Sequence, residues 1–166
     1  MAHRLCAFTV ARVGNIAQAE WKEFDLDVEL REWVILRAKM KAQDRHHDHR
    51  IILGPTIAAE LRTWKDEGTG RGYAFRSPAG GKHITRESLE KLYRVTLGLE
   101  GKHTPHGWRS AFSTLARDKG DERDKDGKVI SPGFERDVVE LDLDHIHDND
   151  VVRAYDRGER LQERIR

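Results

Sequence analysis

The chemistry available to this sequence is suggested first by six polar residues of types that bind phosphate and move protons. Arginine guanidinium groups bind phosphate oxygens through paired N–H donors. Lysine and histidine side chains hold or transfer protons, and a tyrosine hydroxyl can attack phosphorus. The set therefore holds the groups needed to break and rejoin a phosphodiester without a metal ion. In chain order the six residues are Arg12, Lys39, His106, Arg109, His145 and Tyr155.

Two of the six, His106 and Arg109, are three residues apart near the start of a predicted helix. Thr104 suits the N-cap of this helix and Pro105 its first position. Residues three apart are neighbours on a helix surface, and a helix N-terminus favours negative charge. One anion could therefore contact both side chains. Taken alone, however, such a pair is more often an ordinary surface feature.

The composition indicates one globular domain with a polar surface. The chain has 166 residues, of which 37% are hydrophobic and 36% charged. Its net charge is +1, so only a local basic patch could supply affinity for nucleic acid. Cys6 is the single cysteine; it excludes an internal disulfide and is expected to pack as a small apolar residue. Since the chain has no run of ~20 apolar residues and no signal-peptide pattern, we expect a soluble cytoplasmic protein with no membrane partner.

The first third of the chain predicts two helices and a small antiparallel sheet. The apolar run 2–11 predicts a helix that ends at a turn at Gly14. Asn15 is placed to cap a second helix through about Glu23, with Ile16 and Ala19 facing inward. Apolar residues alternating with polar ones or forming short runs then predict strands. The predicted strands cover residues 24–30, 33–36 and 50–53, and a basic hairpin over residues 37–49 joins the last two.

The rest of the chain predicts mostly helices, which gives an α+β fold that is mainly helical. Pro55 can open a helix because its missing N–H has no partner in a first turn. Residues 118–132 are charged and without a period, which predicts a loop. The predicted inward faces are Ile57, Leu61 and Trp64 for the Pro55 helix, and Trp108, Phe112 and Leu115 for the helix of Arg109. Further helices are predicted over 85–97, over 134–145, and from about Asp150 with Asn149 as its cap.

Four stretches of the sequence, in order, resemble the motifs of one family. Residues 11–27 (ARVGNIAQAEWKEFDLD) resemble the first arginine box of the tyrosine recombinases, most closely the prophage-integrase branch. Residues 33–40 (WVILRAKM) are similar to its strand and β-hairpin lysine, and 104–118 to its second arginine box with an HxxR core. Residues 143–157 resemble its closing box, with a histidine and the nucleophile. The resemblance implies a tyrosine recombinase catalytic domain over residues 1–166, truncated at both ends and without the DNA-clamping domain that precedes it in the family.

The resemblance also implies a role for each of the six residues. Tyr155 would attack the scissile phosphate to form a 3′-phosphotyrosyl link, while Arg12 and Arg109 bind the non-bridging oxygens. Lys39 would protonate the leaving 5′-oxygen. His106 would assist proton transfer with Tyr155, and His145 would donate a hydrogen bond to the phosphate. No cofactor or metal is implied. The implied partners are double-stranded DNA at attachment sites and further protomers in a synaptic tetramer.

The sequence departs from the family pattern at several positions. Asn15 stands where the first box usually has Glu. The basic-Pro-His run that usually follows the hairpin lysine is replaced by residues 43–49, so Lys41 competes with Lys39 for the lysine role, and we favour Lys39. Asp144 stands beside His145 where a small residue is common.

Two other functions remain open from the sequence. A DNA-binding module without catalysis would keep the basic residues and dispense with Tyr155. A metal-dependent nuclease could use clustered His and Asp side chains, although neither cluster has a recognised spacing such as H-E-x-x-H. A hydrated hairpin and a turn between helices are the interpretations we prefer for these clusters. They are His46, His47, Asp48 and His49, and then His145, His147 and Asp148.

Overall fold

The chain is mainly helical with a small three-stranded antiparallel sheet, which confirms the predicted α+β fold class. It divides into two compact units, Met1–Trp108 and Arg109–Arg166. Within the described residues, no helix combines the length and the apolar character needed to cross a bilayer. The computed structural model describes residues 1–40, 48–68, 70–80, 82–144 and 164.

The helices are short, and several have bounds other than those predicted. Pro55 is the first residue of its helix, as expected for a residue without an N–H. The predicted helix 85–97 is divided into an α-helix and a π-helical turn, Leu92–Thr96. Among the described residues the α-helices are α1 (Ala2–Thr9), α2 (Val13–Ala17), α3 (Pro55–Glu67), α4 (Arg86–Lys91), α5 (Gly107–Asp118) and α6 (Arg136–Asp142).

The chain leaves α1 at Val10 rather than at Gly14. Val10 has a left-handed backbone conformation, with φ of 45°. The hydroxyl of Thr9 accepts the N–H of Ala11 at 3.3 Å, a local hydrogen bond that competes with continuation of the helix. The predicted turn at Gly14 and the predicted cap at Asn15 are therefore wrong, since both residues lie inside α2.

A separate 3-10 turn, Trp21–Glu23, follows α2. The prediction of one continuous helix through Glu23 is wrong because the backbone is extended at Glu20, with φ of −112° and ψ of 144°. This extended residue forms an isolated antiparallel bridge with Tyr73 instead of continuing the helix. The turn then leads directly into the sheet.

The three strands of the sheet lie side by side in chain order and are antiparallel throughout. Trp33 of the central strand is fully buried and pairs with Phe24 of the first strand. The first strand, predicted over 24–30, stops after two residues, where the Asp25 carboxylate accepts the N–H of Asp27 in a turn. The strands are β1 (Phe24–Asp25), β2 (Glu32–Ile35) and β3 (His49–Ile52).

The core of Met1–Trp108 combines helices and sheet. The rings of Phe24 and Trp33 stack with centroids 5.1 Å apart. Cys6 is buried among apolar side chains, as predicted. Trp64, predicted to face inward, is partly exposed, and its indole N–H donates to the carbonyl oxygen of Ala74 at 3.0 Å. Four other residues that the sequence predicts to face inward are buried, which confirms the prediction for Ile16, Ala19, Ile57 and Leu61.

Helix α5 begins later than the sequence predicts, and its predicted apolar stripe is half-buried at Trp108 and Phe112 but not at Leu115. It starts at Gly107, whose N–H bonds the carbonyl and hydroxyl oxygens of Thr104 at 2.9 and 3.1 Å and so closes a turn before the helix. Leu115, predicted as buried, is 71% exposed, whereas Ala116 is buried. Successive side chains of an α-helix point in directions that differ by about 100° around the helix axis. The predicted stripe is therefore wrong at Leu115.

A β-hairpin occupies the stretch 118–132, which the sequence predicts as a loop. The carboxylate of Asp124 accepts the N–H groups of Asp126 and Lys128 at 3.0 and 2.9 Å. Gly127 takes the left-handed conformation, with φ of 81°, that this tight turn requires. The hairpin consists of β4 (Glu122–Arg123) and β5 (Val129–Ser131).

Helix α6 lies within the predicted helix 134–145 and is shorter at both ends. It buries Val138 and Val139, and Leu143 just beyond it is also buried. The predicted last helix, with Asn149 as its cap, lies outside the described residues.

Candidate active site

Arg12 is the N-cap residue of α2, and its backbone is held by that helix. Its carbonyl oxygen accepts the N–H groups of Asn15 and Ile16 at 2.9 and 3.1 Å. Val13 and Ile16 are buried in the core. The start of α2 is therefore fixed by hydrogen bonds and by packing, which restricts where the half-buried Arg12 side chain can reach.

Lys39 lies in a 3-10 turn, Arg37–Lys39, that follows β2 directly. Its ammonium donates to the carbonyl oxygen of Gln18 at 3.1 Å and to the Glu20 carboxylate at 2.6 Å. It also donates to the carboxylate of Glu23. An ammonium has three N–H donors, so these three acceptors occupy all of them. Lys39 is thus an ion-paired and fully hydrogen-bonded cation.

Helix α2 links the surroundings of Arg12 and Lys39. Arg12 caps its N-terminus, and Gln18, whose carbonyl oxygen Lys39 contacts, caps its C-terminus. With a rise of 1.5 Å per residue, the two caps are about 9 Å apart along the helix axis. The structure therefore places the Arg12 backbone and the Lys39 ammonium at opposite ends of one short helix.

Glu23 is the most buried member of the contacts around Lys39. Its side chain is only 2% exposed, against 20% for that of Lys39. One of its carboxylate oxygens accepts the indole N–H of Trp33 and the backbone N–H of Glu20, both at 3.1 Å. A buried carboxylate is costly unless it is paired and hydrogen-bonded. These donors, together with Lys39, supply the compensation that Glu23 needs.

The ion pairs shift the protonation of their members toward the charged forms. Burial disfavours the Lys39 ammonium, but its hydrogen bonds to Glu20 and Glu23 outweigh burial and raise the pKa of Lys39 above its usual 10.5. Hydrogen bonds from Lys39 and from Lys22, the latter at 2.9 Å, hold the pKa of Glu20 below its usual 4.5. Both shifts favour the ion-paired state at neutral pH.

Glu20 and Glu23 are site residues that sequence reasoning missed. They are three apart, the spacing at which a carboxylate can bond the backbone N–H at the start of a helical turn. That spacing could have revealed the contact between Glu23 and the Glu20 N–H. Nothing local in the sequence pairs either residue with Lys39, which is 19 and 16 residues further along the chain.

Arg109 is 5% exposed and donates from its guanidinium to the carbonyl oxygen of Leu143. Leu143 is the C-cap residue of α6, where the helix dipole favours a cation. The next residue, Asp144, is buried and has φ of 52°. Arg109 thus binds the end of the helix that precedes His145.

The remaining predicted residues differ in exposure, and several fall outside the described ranges. His106 is exposed and precedes the first residue of α5. Among the potential metal ligands, Asp48 accepts the backbone N–H of Arg37 at 2.8 Å, and His49 is buried. In the described ranges, no group of three or more His, Cys, Asp or Glu residues could hold a metal ion. Outside those ranges lie Lys41, His46, His47, His145, His147, Asp148 and Tyr155.

The comparisons with known proteins support the tyrosine recombinase family for this chain. It is 30% identical over 156 residues to prophage integrase IntA of Escherichia coli (strain K12), an alignment that covers 94% of this chain and 33% of the integrase. The fold is similar to that in a crystal structure of XerA recombinase, with a TM-score of 0.53 and 17% identity, over 91% of this chain and 53% of that chain. No family model matches the sequence. The chain therefore spans about a third of the length of the curated relative that it matches.

Proposed function

We propose that this chain cleaves and rejoins DNA strands at specific sites through a covalent 3′-phosphotyrosyl intermediate. The observation that carries the proposal is the ordered set of four motifs in a chain of which 94% aligns with a prophage integrase. The partners that follow are double-stranded attachment sites and other protomers in a tetramer. The reaction needs neither ATP nor a cofactor, because the covalent link conserves the energy of the phosphodiester.

In the cleavage step the Tyr155 hydroxyl attacks phosphorus. The bond between phosphorus and the tyrosyl oxygen forms as the bond to the 5′-oxygen breaks. His106 takes the proton from Tyr155, a task that suits an imidazole because it titrates near neutrality. A lysine of the segment after β2 gives a proton to the leaving 5′-oxygen, and the sequence offers Lys39 first and Lys41 second. Rejoining is the reverse of these steps.

The two arginines stabilise the charge that spreads over the non-bridging oxygens in the transition state. Their planar, forked donors match phosphate geometry, and donors that are fixed in advance need no rearrangement during the reaction. Two features support this role: Arg12 caps a packed helix, and Arg109 is held on the end of α6. His145 adds a hydrogen bond to the phosphate.

The proposal is tested with a suicide DNA substrate whose nick prevents rejoining. We expect the wild-type chain to form a covalent protein–DNA adduct that is unaffected by EDTA, and Tyr155→Phe to form none. Adduct formation by the Tyr155→Phe variant would remove this nucleophile. Cleavage that needs a divalent metal and leaves no adduct would favour the His/Asp nuclease instead.

DNA binding without cleavage is a second candidate function, in which the arginine and lysine positions would bind phosphate and Tyr155 would be dispensable. Binding would then depend on salt, as expected for phosphate contacts. Wild-type chain and Tyr155→Phe would bind the attachment site equally, and neither would form an adduct.

A further inference from the structure

We propose that Lys39 is a positioning residue that anchors α2 to the segment after β2, and that the leaving 5′-oxygen receives its proton from another group. The anchoring role of Lys39 concerns the structure of Met1–Trp108. The source of the proton rests on the recombinase chemistry proposed above, for which the sequence offers Lys41 as the other lysine.

The hydrogen bonds of Lys39 argue against its acting as the proton donor. All three of its N–H donors are directed at protein acceptors, two of them carboxylates. To reach a 5′-oxygen the ammonium would have to leave Glu23, whose side chain is 2% exposed. Removing one partner of a buried ion pair leaves an uncompensated charge, which is strongly unfavourable. Contact with a DNA substrate would therefore oppose the packing of the protein itself.

The acidity of Lys39 also argues against its acting as the proton donor. A general acid works best when its pKa lies near the operating pH. The contacts with Glu20 and Glu23 raise the pKa of Lys39 above its usual range, so it is a weaker acid than an ordinary lysine. The ammonium is well suited to neutralise two carboxylates and poorly suited to release a proton.

The contacts also show what Lys39 positions. Glu23 accepts hydrogen bonds from Trp33 at the centre of β2 and from Lys39 just beyond that strand. Lys39 reaches from there to Gln18, the C-cap residue of α2, whose N-cap is Arg12. One cation therefore joins the sheet to the helix that carries the first arginine. Loss of Lys39 should disturb the placement of Arg12, whatever the leaving group of the substrate.

The leaving group provides the first test. In a suicide substrate with sulfur in place of the bridging 5′-oxygen, the thiolate leaves without a proton, so removal of a general acid is rescued by sulfur. We expect Lys39→Arg to cleave the oxygen substrate within a few-fold of wild type, because the guanidinium keeps the charge and the hydrogen bonds. We expect Lys39→Met to lose activity by the same factor on both substrates.

The opposite pattern would overturn the inference. Because arginine does not release its proton, a donor role predicts that Lys39→Arg loses on the order of a hundredfold or more on oxygen and regains cleavage on sulfur. Lys41→Met is the comparison, and its rescue by sulfur would support the proposal. Arg50→Lys is the matched control, since Arg50 pairs with Glu32 at 2.7 Å in the same sheet, and Glu32 is not one of the three acceptors of the Lys39 ammonium.

The second test needs no catalysis. Lys39→Met and Glu23→Gln are combined in a double-mutant cycle measured by denaturant unfolding. An anchor predicts that each change lowers the unfolding midpoint and that the double variant loses less than the sum of the two; additive losses would reject the anchor. If wild type forms no adduct, the proposed recombinase function fails, while the cycle still decides whether Lys39 is an anchor. Lys39→Arg keeps the leaving-group comparison decisive even where the Met variant does not fold.

Discussion

The guanidinium of Arg109 donates a hydrogen bond to the backbone carbonyl oxygen of Leu143, at the C-terminal end of α6. A side chain that we propose to bind phosphate is therefore also part of the internal hydrogen bonding of the unit Arg109–Arg166. Its charge lies where the helix dipole favours a cation. The same contact fixes the backbone two residues before His145. The placement of Arg109 and the end of α6 are thus coupled.

Arg109→Ala should abolish adduct formation and also lower the free energy of unfolding. The stability loss should be about 1–3 kcal/mol, because the buried carbonyl oxygen of Leu143 loses its charged donor. Arg109→Lys should recover part of the stability but little of the cleavage, since an ammonium lacks the forked donors. Suicide-substrate trapping and urea unfolding measure the two effects.

Arg117→Ala is the matched control for this prediction. Arg117 is an exposed arginine of the same helix that pairs with Glu140. Exposed ion pairs contribute about 0–1 kcal/mol, so this variant should remain stable and active. Unchanged trapping by Arg109→Ala would exclude Arg109 from the site.

The ion pairs of Lys39 should make stability depend on pH at both ends of the range. The pKa of Glu20 is lowered in the folded chain, so its contribution is present above 4.5 and is lost as pH falls through the folded value. The pKa of Lys39 is raised, so its contribution is present below 10.5 and is lost as pH rises through the folded value. Glu20→Gln should therefore destabilise the chain at neutral pH and differ less from wild type in acid.

Unfolding free energies measured at several pH values test this expectation. The difference between wild type and Glu20→Gln should shrink in a Lys39→Met background, where the main partner of Glu20 is absent. A difference that stayed constant from neutral pH into acid would show that Glu20 does not act through its charge.

The parts of the fold that could be predicted are those fixed by repeating patterns. The short apolar run that begins at Trp33 predicts a strand, and Trp33 is fully buried in the central strand of the sheet. The parts of the fold that could not be predicted depend on individual side-chain hydrogen bonds. The Thr9 hydroxyl stabilises the end of α1, and the Asp124 carboxylate organises a hairpin where composition predicts only a loop. Such local contacts leave no periodic signal.

The site was predictable in its residue types and order, but not in its surroundings. The position of Lys39 in a motif predicts a role in the site, but its two carboxylate partners lie 16 and 19 residues earlier in the chain. The burial of Arg109 could not be predicted, because the apolar stripe predicted for α5 included Leu115, which is exposed. A charged residue on a buried helix face is the kind of exception that an apolar period cannot predict.

Substitutions in α5 should follow the observed face rather than the predicted stripe. Leu115→Ala should change the free energy of unfolding by no more than about 0.5 kcal/mol, because the side chain is exposed. Ala116→Leu should cost about 1–3 kcal/mol, because it adds volume at a buried position. Urea unfolding of the two variants measures the contrast, and a larger loss for Leu115→Ala would restore the predicted stripe.

Cys6 should be unreactive in the folded chain. Burial raises the pKa of its thiol to about 12, and its Sγ donates to the carbonyl oxygen of Ala2 at 3.5 Å. Because the thiolate is the reactive form, iodoacetamide at pH 8 should leave the native chain unmodified and should label it fully in denaturant. The rate of labelling should rise with urea in parallel with the loss of circular dichroism. Rapid labelling without denaturant would mean that α1 separates from the core in the native state.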